Sequence, residues 1–487
     1  LKTSFQESAS HAIDAIVFYS LLAVIALAAI PYGAVEPWWK SLVQCLVFLL
    51  AALSVIAKLL RPEGASQDSA RFDYQLFWPI IALIAFAFLQ TIRWSNSNSG
   101  ATISADVYQT RQFIIHLLAL LGVGWLLLRH TSSRKRLRRL VELVIAVGVG
   151  SALFGLWRQA SQQAPGFILP HLRPGFGYAQ FINSNHFAFL MELALGLAIG
   201  IAVCRGVTGK RLAAYFVAAL PMWAALILAN SRGGILSILC QVLFLALLSG
   251  VGADRYERQR SHATRDAKSN LPGRMLRASR TVVARGVLIA ALLGGAITTV
   301  VLVGGDPLAA RVDSLAIELD RKTADTFTLR PTIWRATWKL IKDHPLTGVG
   351  FGGYWIAITK YHAASGETTP QEAHNDYLEL LASGGVIGVA IGIWFAVVLI
   401  RTAKRKLNKL RSTNSPATHG SFARAATLGA LAGILTVAVH SLVDFGLHIP
   451  INALVFTVLV AIVALDVGRN EIQENPALLK SEMKTVS

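Results

Sequence analysis

The chain has 487 residues, of which 54% are hydrophobic and 15% charged, whereas soluble domains carry about 25% charged residues. This composition excludes an ordinary soluble enzyme, and the apolar residues gather in runs of about 17 to 25, the length a helix needs to cross roughly 30 Å of hydrocarbon. The net charge of +19, from 46 Lys and Arg against 27 Asp and Glu, suits either nucleic acid or a membrane surface, and the placement of the basic residues decides between them.

About twelve spans are predicted, near 13–31, 38–59, 76–92, 111–128, 140–157, 183–204, 212–229, 233–251, 286–304, 376–400, 425–443 and 450–466. Only helices and closed barrels satisfy every backbone polar group in lipid, and these runs lack the alternation of barrel strands. The expected fold is therefore an all-α polytopic integral membrane protein. Its expected divisions are N-terminal transmembrane helices at 1–180, a central region at 181–400 and C-terminal helices with a tail at 401–487. The first apolar run is long and has no small-residue cleavage site, so it reads as a span rather than a signal peptide.

Basic clusters lie at Arg129–Arg139, Arg205–Arg211, Arg255–Arg285 and Arg401–Arg424, all in connections that fall on one side with both termini. That side is expected to be cytoplasmic. Most of the +19 is then an orientation signal, and nucleic acid is not an expected partner. The segment 252–285 reads as a mobile cytoplasmic loop against anionic lipid. Cys45, Cys204 and Cys240 all sit in apolar runs, with neither a disulfide framework nor metal-ligand spacing.

The long loop on the opposite side, about 305–373, exceeds a connector, and loops of this size usually carry function. Helical periodicity appears at Pro307–Asp320 and Thr332–His344. The second stretch sets Ile333, Trp334, Thr337, Trp338 and Ile341 around one side, a pattern suited to a membrane interface. A Gly-rich turn, Pro345 to Gly353, follows.

Several polar residues collect on this outer side. Arg232 opens span eight, where helix N–H groups and the dipole favour an anion and a guanidinium adds a bidentate fork; a snorkelling arginine capping a span accounts for it equally. Arg330 and Arg335 open the helix of the long loop, as ligands for an anion at the outer interface or as a solvated face. His374 precedes span ten in EAHNDYLE. Asn375 or Asp376 can cap that helix, whereas histidine is a poor cap and, titrating as a class near about 6.5, a good general base. Neighbouring arginines would keep it neutral. Asn183, Asn185 and His186 open span six and either cap it or bind sugar. His440, Asp444 and His448 lie in the outer turn before the last span, as a hydrogen-bonded turn or as further substrate ligands.

There is no Walker loop, no nucleotide-binding glycine turn and no HExxH or paired-aspartate metal motif on the outer side. The stretches SRGGILS at 231, LRPTIWRATWKLIKDHPLTGVGFGGY at 329 and EAHNDYLELLASGGVIG at 372, with FINSNHFA at 181, resemble the bacterial O-antigen ligase family, which also includes Wzy-type polysaccharide polymerases. The similarity runs from about residue 180 to 400, with a weaker echo in the last two spans; before 150 only the number of spans corresponds.

The resemblance implies a GT-C-type, metal-independent and cofactor-free glycosyltransferase at the periplasmic face of the bacterial inner membrane. It would move a glycan from an undecaprenyl-diphosphate carrier to a saccharide hydroxyl, on lipid A-core in the ligases or on a second lipid-linked repeat unit in the polymerases. By the family pattern Arg232 and Arg330 hold the diphosphate, with Arg335 able to share that role, and His374 is the base. Asn183, Asn185, His186, Asp376 and Asp444 are expected substrate contacts. A transporter or flippase for an anionic solute would also place arginines in a membrane cavity, but charged residues cluster at one face instead of mid-span. A noncatalytic envelope scaffold would leave His374 without a role.

Overall fold

A computed structural model describes residues 2–59, 74–93, 102–161, 169–172, 177–204, 206–263, 330–363, 369–412 and 419–466. Among these residues the chain is all-α, with thirteen α-helices and no strand beyond isolated bridges. In chain order they are α1 (Lys2–Ala28), α2 (Pro37–Leu59), α3 (Phe77–Gln90), α4 (Val107–His130), α5 (Arg134–Ser161), α6 (Ser184–Val203) and α7 (Lys210–Leu228). There follow α8 (Arg232–Ala263), α9 (Arg330–Asp343), α10 (Tyr354–Ala357), α11 (Asp376–Ser412), α12 (His419–His440) and α13 (Pro450–Ala464). Seven of the helices are long and apolar enough to cross a membrane, and four apolar stretches are shorter. Together these coincide with eleven of the twelve predicted spans. The ninth, 286–304, lies outside the described residues, as do the helix expected at Pro307–Asp320 and most of 252–285.

The chain divides into two compact units. The first comprises Leu1–Leu143, Arg321–Ser412 and His440–Ser487. Its centre is α4, which packs against α1, α2, α3 and α13 and starts where Asp106 accepts the Gln109 N–H at 3.0 Å. One polar group buried among these helices is fully partnered: His130 faces Asp14 at 2.6 Å through Nδ1 and Ser54 at 2.8 Å through Nε2.

Two features of this unit position the residues of the long loop. Helix α9 starts with a proline in its first turn, where a missing N–H costs nothing, and stops just before Pro345. Its Ile333, Ala336, Thr337, Leu340 and Ile341 are buried. Ala336, Leu340 and Ile341 pack with Val349, Tyr354, Ile358, Ala373 and Ala382, and Thr337 meets the Tyr354 hydroxyl at 2.6 Å, so the apolar side expected to lie on a membrane interface is instead covered by protein. Trp338 remains about half exposed, at 49%. The second feature is a break in α11 at Gly385, with φ 58° and ψ −162°. The Gly-rich turn fills this break: Val349 and Gly350 donate to the carbonyls of Ala382 and Ser383 at 3.0 Å, and Val386 donates to Pro345 at 2.9 Å. Gln90 donates to both sides of the joint, to Thr347 at 2.8 Å and Ser383 at 3.0 Å.

The second unit comprises Val144–Asp320 and Thr413–Val439. Helix α6 is buried on every side from His186 to Ala202, as expected of a helix without a polar face. It meets α12 through glycine: a Cβ on Gly196 would lie 2.7 Å from the Gly433 nitrogen. Such small residues let two helical backbones approach closely in a membrane.

Candidate active site

In the first unit the loop before α11 is held from three directions. Asn375 accepts the N–H groups of Tyr377 and Leu378 at 3.0 Å through Oδ1, so of the two candidate caps Asn375 performs the capping. Glu379 reaches back to accept the Ala373 N–H at 2.9 Å. From α9, the Trp334 indole donates to the Ala373 carbonyl at 2.9 Å, which joins the helix carrying Arg330 to the residue before His374.

His374 itself has φ +50°. A non-glycine residue in the left-handed region is strained, and such strain is concentrated at functional positions. Its Nδ1 lies 3.6 Å from Asp444 Oδ1, and its ring meets Phe445 edge-on with centroids 4.9 Å apart. Asp444 is wholly buried, and its Oδ2 accepts from Arg330 Nη2 at 3.3 Å while Oδ1 accepts the Phe445 N–H at 2.9 Å. Arg330, Asp444 and His374 thus form a cation–carboxylate–imidazole row. The imidazole neighbour expected from the sequence was an arginine; a carboxylate stands between. Nδ1 faces the Asp444 carboxylate from 3.6 Å, beyond hydrogen-bond distance, and Nε2 is the ring nitrogen turned away from it.

Beside this row lies a second group of charges. His448 Nδ1 is 3.3 Å from Glu372, and its Nε2 is 3.7 Å from both Asp376 and Glu379. Asp376 also takes the Ser441 hydroxyl at 2.5 Å and donates its own N–H to the Ser441 carbonyl at 2.9 Å. Asp376 therefore sits in this group, one step removed from His374. Burial opposes ionisation of Glu372, but the His448 imidazole outweighs it and holds the carboxyl down at about 2. Burial likewise opposes charging of His448, and Glu372, Glu379 and Asp376 together reverse it, raising the imidazole well above its usual range. Glu372, Glu379 and His448 each bring one ligand-type atom within 4.8 Å of the others, a donor set able to hold a divalent cation. With the imidazole charged, its proton already serves as the counter-ion.

Arg335 is five residues beyond Arg330, about 140° further round the helix at 3.6 residues per turn. It faces a different space, a cavity of about 400 Å³ lined also by Thr332, Lys339, Tyr361 and His362.

The second unit holds the remaining candidates. Ser231, fully buried, accepts the Gly234 N–H at 3.1 Å and so caps α8, which leaves Arg232 exposed at its first position. Asn183 caps α6 by accepting the Asn185 N–H at 2.9 Å, and His186 is buried one turn in. Sequence reasoning missed Glu192, fully buried in α6, whose backbone carbonyl accepts from Gln241 at 3.0 Å. A lone Glu in an apolar span was the signal for it. It also missed Glu372 and Glu379, whose pairing with His448 depends on two segments distant in the chain.

A comparison with curated proteins finds no match. Residues 217–393, from within α7 to within α11, match the family described as O-antigen ligase, a match that supports an O-antigen ligase-like assignment for this part of the chain.

Proposed function

We propose that the protein transfers a glycan from an undecaprenyl-diphosphate carrier to a saccharide hydroxyl at the periplasmic face of the bacterial inner membrane, without a metal and with inversion. The family match over residues 217–393 supports ligase- or polymerase-like chemistry in general. The observation that carries the finer reading is the Arg330–Asp444–His374 row. It supplies a base, a group that orients it and a cation suited to a phosphate oxygen.

In this reading His374 Nε2 takes the proton of the acceptor hydroxyl. The acceptor oxygen bonds to the anomeric carbon as the bond from that carbon to the diphosphate oxygen breaks, and the diphosphate leaves with the electron pair. One displacement inverts the anomeric centre. Charge grows on the departing phosphate, and a fixed guanidinium stabilises it without reorganising. Arg330 does so from α9. Arg232 takes the second diphosphate role implied by the family resemblance. Asn183, Asn185 and His186 remain proposed sugar contacts, and the isoprenoid chain lies in the bilayer.

The test uses membranes supplied with an undecaprenyl-diphosphate-linked glycan. Loss of a positioned base costs about 10²- to 10⁴-fold in rate, so His374→Ala is expected to lose transfer to that extent at equal expression. Unchanged transfer would remove the base assignment. Arg330→Ala and Arg232→Ala are each expected to lose about 10²- to 10³-fold, the scale for one charge-stabilising donor. Glycan found on lipid A-core marks the ligase, our preferred acceptor assignment; lengthened carrier-linked chains mark the polymerase. Movement of an anionic solute across sealed vesicles with no new glycosidic bond would identify a transporter instead.

A further inference from the structure

The cavity beside Arg335 belongs to a part of α9 that the transfer chemistry leaves unused. Thr332, Arg335, Ala336 and Lys339 line one wall, at the spacing that stacks side chains along a single helix face. Tyr361 and the buried His362 complete the lining. At about 400 Å³ the space falls within the usual size range of small-molecule pockets.

Its charge is one-sided. Arg335 and Lys339 are four residues apart, and like charges at that spacing repel. The carboxylate that follows them on the helix, Asp343, is engaged elsewhere: it accepts the Tyr361 hydroxyl at 2.6 Å. That bond, with partial burial, pushes the phenol up to about 12, so Tyr361 stays a neutral donor bound to its carboxylate. Among the described residues neither Arg335 nor Lys339 has an acidic partner within ion-pair distance. An anion between them would relieve their repulsion, the Thr332 hydroxyl adds a neutral hydrogen-bonding group, and the Tyr361 ring offers a flat apolar wall of the kind that packs against a sugar face.

We propose that this cavity is a subsite for a saccharide bearing a phosphate monoester or carboxylate, and that it selects charged acceptor glycans. The site rests on the glycosyl-transfer reading for its assignment to the acceptor; its affinity for the charged sugar does not. The donor diphosphate belongs to Arg330, on another face of the helix, so Arg335 and Lys339 distinguish between acceptors without touching the leaving group.

The experiment uses the full-length protein in bilayer discs of neutral lipid. Binding of a phosphorylated core oligosaccharide and of its phosphatase-treated counterpart is titrated for the wild type, Lys339→Gln and Arg335→Gln. A charge-assisted hydrogen bond that only one of two ligands can make separates their affinities by about tenfold or more. The wild type is therefore expected to prefer the phosphorylated form by at least about that factor, with the gap narrowing as salt rises. Each variant is expected to close most of the gap, and the ratio of KM values for the two acceptors should fall in parallel. Equal wild-type affinities overturn the proposal. So does a preference that both variants retain, one that appears only when anionic lipid is added, or a defect that falls on donor KM instead. Charge-selective binding by a protein that transfers no glycan upholds the subsite and removes the transfer reading.

Discussion

Asp444 is the residue on which the row depends. It is fully buried between a guanidinium and an imidazole, so Asp444→Asn removes the charge that both neighbours face. Replacing the orienting acid of a histidine leaves geometry in place and disturbs the tautomer. Transfer is expected to fall by about 10²- to 10⁴-fold through kcat, with a changed pH profile; an unaltered profile would show that Asp444 serves only the fold. The Glu372–His448 pair makes a separate prediction about stability. Glu372 is depressed to about 2 from an ordinary 4.5, so its contribution is present above about 4.5 and is lost as pH falls toward 2. His448 is raised, so its contribution is complete below its ordinary value and is lost as pH climbs through the raised one. Thermal unfolding of the detergent-solubilised protein should therefore weaken at both ends, and Glu372→Gln should remove the acid-side loss. His374, Arg330 and Arg232 stood out as candidates in the sequence because a cation or imidazole at the edge of an apolar run has few reasons to be there. The role of Asp444 as the link was not, since 70 residues of chain separate it from His374 and only tertiary packing closes that distance.

At the scale of elements, α11 docks the Gly-rich turn through its defect. The break at Gly385 adopts a left-handed backbone, and a Cβ there would stand 2.3 Å from the Leu346 carbonyl. Gly385→Ala meets both a strained φ and a backbone clash, and is expected to destabilise by more than about 1 kcal/mol, read as a lowered Tm. Gly388→Ala, three residues on, has nothing nearer than 3.4 Å and should leave Tm almost unchanged. The periodicity of α9 and the run of α11 could be read from the residues. The Gly-rich turn was visible but its docking was not, because its partners are carbonyls of α11, and a pattern of side chains carries no record of backbone-to-backbone docking. The same limit explains α9: its apolar stripe was visible, but whether lipid or protein covers such a stripe depends on Tyr354, Ile358 and Ala382 arriving from elsewhere.

For the whole molecule, the apolar runs were the most legible feature, because bilayer thickness dictates their length and no tertiary contact is needed to see them. Eleven of the predicted spans meet apolar helices. The division into two units, by contrast, interleaves distant segments, with 413–439 joining 144–320, and nothing in local composition announces such a return. Two predictions belong at this scale. Reporter fusions at either terminus should both report the cytoplasm, as the basic connections imply; a periplasmic terminus would overturn the proposed sidedness. Transfer by washed membranes should survive excess EDTA. A loss restored by a divalent ion would assign Glu372, Glu379 and His448 to that ion and end the metal-independent reading.

The indole of Trp334 reaches the carbonyl next to His374 from the same helix that starts with Arg330. In the proposed transfer, one rigid rod would therefore set the gauge between the group that receives the acceptor's proton and the group that meets the departing phosphate. On that proposal, the span those two would bridge is constant for every sugar, whereas the sugars differ. A fixed gauge on one side and a separate cavity on the other would let the protein change its choice of glycan over evolution without recalibrating the bond it makes.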